Sequence, residues 1–242
     1  NHDGTQVLTA SADQTAKIWD AETGSVVNTI QGNMDPILGA VFGSDGVILF
    51  SRIAEKNAKI WNAKTGTTMH TLKGHTDMIV SIRLSPDRSQ ILTGSSDRTA
   101  ILWDLKTGKE IFVLKGHTDV VNSVSFNHEG TKIITGSWDK TTKIWNAKTG
   151  ELIQTIPSVI GGILTASFSP DGSRIITGGD QTARILDAAT GTEVFTLKGH
   201  TGPVTNAVFS EDGMLIVTGS MDGTARLRTA RPTNEPKPPK AR

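Results

Sequence analysis

The chain has 242 residues, 25 Lys plus Arg against 24 Asp plus Glu, and no cysteine. The absence of cysteine excludes disulfide staples and Cys-ligated zinc, and the even charge argues against a surface built for phosphate backbones, so no nucleic-acid partner is expected. No apolar run reaches the length of a membrane span and no charged-then-apolar leader opens the chain; the expectations are no membrane insertion and a cytoplasmic location, unless a targeting segment precedes Asn1.

Tryptophans set the organisation. Trp19, Trp61, Trp103 and Trp145 stand 42 residues apart, and the same period reaches Leu186 one residue early and Arg228 on schedule. A fixed period of about forty residues marks a radially repeated all-β array. Six units follow: 1–32, 33–74, 75–116, 117–156, 157–199 and 200–229. The first opens inside a turn, before VLTAS and TAKIWD, and so lacks an opening strand. The third shows the full pattern. An alternating stretch, HTDMIVSIRL, runs from His75, and SPDRS (85–89) turns the chain. ILTGSSD (91–97) and TAILWD (99–104) are the second and third strands. Lys106-Thr107-Gly108 turns again into EIFVL (110–114). Four short strands joined by tight turns predict one antiparallel sheet per unit, with strands lettered a to d. The sixth unit stops after TARLRT (224–229) and so lacks strand d.

Gly24, Gly66, Gly108, Gly150 and Gly191 recur between strands c and d, and Gly46, Gly130, Gly172 and Gly213 between a and b, which predicts positive φ at both turns. Arg88 holds the a–b slot in the third unit, where mild strain or another turn type is expected. Strands b and c read VLTAS, ILTGS, IITGS, IITGG and LIVTGS, too apolar for a wet face. Sheets stacked around an axis cover both faces and leave only short edges.

KGHT stands at 73–76, 115–118 and 198–201, GSxD at 94–97, 136–139 and 219–222, and IWD, IWN or LWD at 18–20, 60–62, 102–104 and 144–146. On these motifs residues 1–229 resemble the WD-repeat (β-transducin-type) β-propellers, with six visible blades. The resemblance implies that His75, Thr93, Asp97 and Trp103, and again His117, Thr135, Asp139 and Trp145, form buried structural tetrads running Asp to His to hydroxyl to indole.

A His–Asp–hydroxyl set also suggests a proton relay. It recurs at constant spacing, however, whereas an active site is built once. The set decays elsewhere: Asn33, Ser51, Glu55 and Trp61 in the second unit, Ser158, Thr177, Asp180 and Leu186 in the fifth, and His200, Thr218, Asp222 and Arg228 in the sixth. The first keeps Thr9, Asp13 and Trp19. The third and fourth units are therefore expected to be the most rigid. No nucleophile elbow, phosphate loop or metal-ligand spacing occurs, so no catalytic residue, cofactor or metal site is assigned.

In propellers of this family partners dock where the d–a and b–c loops open. Carried over by position, that rim includes Asp77, Met78, Arg98, Asp119, Trp138, Lys140, Val159, Ile160 and Met221, with Ser96, Val120 and Pro203 beside them. Trp138 stands where the other units carry Ala12, Ala54, Ser96, Gly179 and Met221, so the repeat does not require it. Trp138, Val159 and Ile160 are read as an apolar patch for a protein or peptide; the competing reading packs Trp138 on the neighbouring blade. The missing a and d strands suggest a piece of a longer protein, with a further blade upstream and exposed edges open to self-association. RPTNEPKPPKAR (231–242) reads as a disordered, Pro-rich basic tail. The functional expectation is a non-catalytic protein-interaction scaffold, or alternatively the C-terminal sensor or targeting propeller of a larger multidomain protein.

Overall fold

The computed structural model describes residues 1–230 apart from 2, 12, 14, 32–36, 43–46, 53–55, 63–66 and 159–160. The expectations for Ala12, Asn33, Gly46, Ala54, Glu55, Gly66, Val159, Ile160 and the tail 231–242 fall outside these residues.

All the described elements are strands, in six antiparallel sheets whose strand order follows the chain. The first sheet has three strands, Gln6–Ala10, Thr15–Asp20 and Val26–Gln31. The second has Ile37–Phe42, Val47–Arg52, Ala58–Asn62 and Thr68–Leu72. The third has Ile79–Leu84, Gln90–Ser95, Ala100–Asp104 and Glu110–Leu114. The fourth has Val121–Phe126, Lys132–Ser137, Thr141–Asn146 and Leu152–Pro157, the last of which crosses by one residue the unit border placed after 156. The fifth has Thr165–Phe168, Arg174–Gly178, Ala183–Asp187 and Glu193–Leu197. The sixth has three, Val204–Phe209, Leu215–Ser220 and Ala225–Thr229.

These are the blades of a β-propeller, and alternation explains their stacking. Neighbouring residues of a strand point to opposite faces. In the third sheet Ile91, Ile101 and Trp103 face back to Ala58, Ile60 and Leu72 of the second. Leu92, Ala100, Leu102 and Leu114 face forward to Val121, Val124, Ile133 and Trp145 of the fourth. The same exchange joins the fourth sheet to the fifth through Ile134 and Ile144, and the fifth to the sixth through Ile176 and Ile185. Each such fully buried side chain contributes about 1.5–3 kcal/mol. Sheets approach closely enough that a Cβ on Gly136 would stand 2.5 Å from Ile163 Cγ2 of the next sheet.

Both faces of strands b and c are covered in the third, fourth and fifth sheets, but not in the first and sixth, which corrects the expectation for VLTAS and LIVTGS. In the sixth sheet Val208, Val217 and Leu227 form one cross-strand row, and Val217 and Leu227 are 42% and 65% exposed. Their fifth-sheet counterparts Ile176 and Ile185 are buried. In the first sheet Val7 and Val26 flank Trp19 in a matching row on the opposite face, and both valines are exposed. Among the described residues no further sheet lies against either row.

The turns take the backbone the glycines require, with φ of 68° at Gly108 and Gly130 and 73° at Gly150. Arg88 adopts the same left-handed turn, φ 58°, rather than a different one. Arg98 (φ 72°) and Lys140 (φ 67°) do likewise in the b–c turns, where the sixth sheet has Gly223 (φ 79°).

Uneven covering has a direct consequence for stability. Ile176→Ala, buried between two sheets, is expected to cost about 2–5 kcal/mol in denaturant unfolding, and Val217→Ala, its exposed counterpart, under about 1 kcal/mol. Equal losses would show that the outer face of the sixth sheet is packed after all.

Candidate functional site

Four side chains tie the d–a loop, strand b and strand c of the third sheet together. His75 Nδ1 lies 2.8 Å from Asp97 Oδ2, and Nε2 lies 2.7 Å from Thr93 Oγ1. Trp103 Nε1 donates to the same hydroxyl at 2.9 Å. The fourth sheet repeats the set: His117 to Asp139 at 2.7 Å, His117 to Thr135 at 2.7 Å, and Trp145 to Thr135 at 2.9 Å. The carboxylate only accepts, so Nδ1 carries the imidazole proton and Nε2 of the neutral ring accepts from the threonine hydroxyl. Both hydroxyls are fully buried, so the atom that a relay would use as nucleophile meets no substrate.

Further bonds converge on the same turns, through residues the motif reading did not single out. Asp97 Oδ1 accepts from the Thr99 amide and hydroxyl, and Oδ2 from the Thr76 amide. Ser95 Oγ donates to the Asp77 carbonyl and accepts the Asp97 amide. Ser137 and Ser220 do the same work for Asp119 and Asp139, and for Gly202 and Asp222. Their sequence signal is the Ser of GSxD and the Thr two residues after its Asp.

The set is incomplete in the other described sheets. In the first, Trp19 Nε1 donates to Thr9 Oγ1 at 2.7 Å. In the sixth, His200 keeps Asp222 (2.9 Å) and Thr218 (2.8 Å), while Arg228 donates to the Lys198 carbonyl. The second sheet's Asn33 and Glu55 lie outside the described residues, as do the side chains of Ser51 and Trp61. In the fifth, Ile156 pairs with Thr142 as Leu114 pairs with Ala100. That register makes Ser158 the counterpart of Gly116 rather than of His117, and moves the His slot to Val159. The expectation that placed Ser158 in the tetrad is therefore corrected. Leu186 stands in the tryptophan slot beside a cavity of about 130 Å³ lined also by Ser158, Thr177 and Arg184.

A Cβ on Gly74 would stand 2.8 Å from Trp103 Cη2, whereas one on Gly116 would stand 3.7 Å from Trp145 Cη2, so the indole crowds the residue before the His in the third sheet and only touches it in the fourth. In the fifth sheet Leu186 lacks the ring, and Ser158 lines the cavity beside it.

At the rim, the loop before strand a and the b–c turn are stitched together in the third, fourth and sixth sheets. The Ser96 amide donates to the Met78 carbonyl, Trp138 to Val120, and Met221 to Pro203. Asp77, Asp119, Arg98, Lys140 and Met221 are exposed, and Met78 is half-buried. Trp138 is 51% exposed. It also leans on the fifth sheet's loop, since a Cβ on Gly162 would stand 3.1 Å from Trp138 Cδ1. Both readings of Trp138 thus describe part of one side chain: one edge packs on the neighbouring blade and the rest is open. Val159 and Ile160, assigned to the same patch, lie outside the described residues. Among the remaining histidines, His70 Nε2 donates to the Lys106 carbonyl at 2.9 Å, a tie between sheets.

Protonation follows from this burial. Burial holds His75 and His117 below the ordinary histidine value of 6.5, against the opposing pull of Asp97 and Asp139. Burial pushes Asp97 and Asp139 up, but the bonds from Thr99, Thr76 and His75, and from Thr141, Thr118 and His117, outweigh it and leave both below 3.8. Unfolding restores the ordinary values, so the unfolded chain binds more protons. For the histidines the stabilisation is complete above 6.5 and is lost as pH falls through the lowered values; for the aspartates it is lost further as pH falls below 3.8. The melting temperature is expected to start falling near 6.5, and a His75→Gln/His117→Gln double variant, less stable overall, to lose much of that first decline. An unchanged acid limb in the variant would contradict the assignment. In the fifth sheet, Leu186→Trp and Ser158→Gly are expected to couple favourably by about 1 kcal/mol in a double-mutant cycle if the new ring sits as Trp103 does, while additive effects would show that it clears Ser158 as Trp145 clears Gly116.

The WD40 description (WD domain, G-beta repeat) matches residues 1–20, 66–104, 108–146, 150–187 and 191–228. The unmatched stretch between 20 and 66 holds the degenerate Asn33, Ser51 and Glu55. No curated protein matches the chain. Domains of this type are generally protein-interaction modules without enzymatic activity. The matched segments span well over half of the sequence, and the chain belongs to the WD40 repeat family.

Proposed function

We propose that this chain is a non-catalytic scaffold that takes a protein or peptide partner on the rim formed by its d–a and b–c loops, with Trp138 as the anchor. The observation that carries this reading is the indole itself. It is half exposed at a position where the third and sixth sheets carry Ser96 and Met221, so packing does not account for it. A large amphipathic ring on a bonded turn loses little entropy on binding, which is why tryptophans recur among the few residues that dominate interfaces. Around it the rim offers both signs of charge, Asp77 and Asp119 against Arg98 and Lys140. These charges suit orientation and selectivity more than affinity. The reading is supported further by the burial of every His–Asp–hydroxyl set described above.

The test is affinity capture with the intact chain, followed by titration of the captured partner. Trp138→Ala is expected to weaken binding about 30-fold, the loss of one dominant anchor, with the melting temperature unchanged. Intact binding together with a lowered melting temperature would assign the indole to blade packing alone.

A further inference from the structure

The fifth sheet holds a cavity of about 130 Å³ where the third and fourth sheets hold an indole. Its lining repeats the surroundings of Trp103. Leu186 takes the place of Trp103, Thr177 of Thr93, and Glu193 of Glu110. Ile156 of the fourth sheet and Ile163, both buried, complete the apolar wall. We propose that this cavity binds one small aromatic ring bearing an N–H group, of the indole type, in the slot that tryptophan fills in the third and fourth sheets.

Leucine is too short to fill a slot shaped for an indole. The volume left suits a small ring, since apolar cavities of about 150 Å³ take up benzene. The hydrogen bonding is set for a donor. Thr93 and Thr135 each accept an indole N–H at 2.9 Å. Thr177 lines the cavity, is 4% exposed, and forms no side-chain hydrogen bond among the described residues. A ligand N–H at the place of the missing indole nitrogen supplies that bond.

Arg184 favours an aromatic ring over an aliphatic one. Its side chain lines the cavity and is 17% exposed, and Nη1 pairs with Glu193. Nε is buried and without a partner, alone in this among the described side chains. The face of an aromatic ring attracts a guanidinium, and more strongly where water is excluded. Pro157 and Glu193 of the lining are exposed, so a ligand reaches the cavity past them. Trp138 is not among the walls, and the site stands apart from the rim anchor.

Isothermal titration of the full chain with indole tests the proposal. One equivalent is expected to bind saturably, and indene, which has the same shape without the N–H, at least about fivefold more weakly. Leu186→Trp, which places the chain's own indole in the cavity, is expected to abolish binding with the chain folded. Thr177→Val, which keeps the shape and removes the acceptor, is expected to weaken indole about fivefold and leave indene unchanged. No saturable binding of indole, equal affinity for indene, or unchanged indole affinity in both variants would overturn the proposal.

Discussion

The third, fourth and fifth sheets are apolar on both sides, and such a sheet buries both faces only between two others. That constraint fixes the stacking. Ile91 and Trp103 on one face, and Leu92 and Leu102 on the other, are neighbours in sequence and belong to different cores. No sheet therefore has a core of its own, and stability is shared along the array as nearest-neighbour terms. The two end sheets show the rule by breaking it. Val217 and Leu227 at one end, and Val7 and Val26 at the other, occupy apolar positions that stay exposed among the described residues.

Hydrogen bonds then convert stacking into a defined rim. The tetrads bond strand c to strand b and strand b to the d–a loop, and Ser95 and Ser137 fasten that loop to the b–c turn. Buried polar groups so fully paired rigidify what they join, and each would cost about 1–3 kcal/mol if left alone. The cost falls where the chain is most complete, in the third and fourth sheets, and Trp138 projects from the fourth. The fully paired network and the exposed indole thus belong to the same turn. Arg98 in the third sheet and Lys140, two residues after Trp138 in the fourth, carry their cations on the left-handed backbone that Gly223 adopts in the sixth.

Much of this was legible because the repeat is local. Tryptophan spacing, the glycines of the c–d turns and GSxD each encode a strand end or a turn within a few residues, and the strands fall where those signals put them. Features that depend on neighbours were not legible in this way. The outer rows of the first and sixth sheets read like any inner row until the stacking is known. The His slot of the fifth unit slipped to Ser158 because the shortened b–c turn, GGD for GSWD, displaces the count; only the pairing of Ile156 with Thr142 corrects it.

In the proposed function, stacked sheets supply a stiff array, bonded loops a fixed rim, and Trp138 the anchor for a partner. Hydrogen exchange of the chain with and without its captured partner tests this most directly. New protection is predicted at the amides of Met78, Ser96, Val120, Trp138 and Lys140, on the side of the d–a loops and b–c turns. Protection confined to the opposite side, at Arg88, Gly108, Gly130 and Gly150, would place the partner elsewhere and contradict the account.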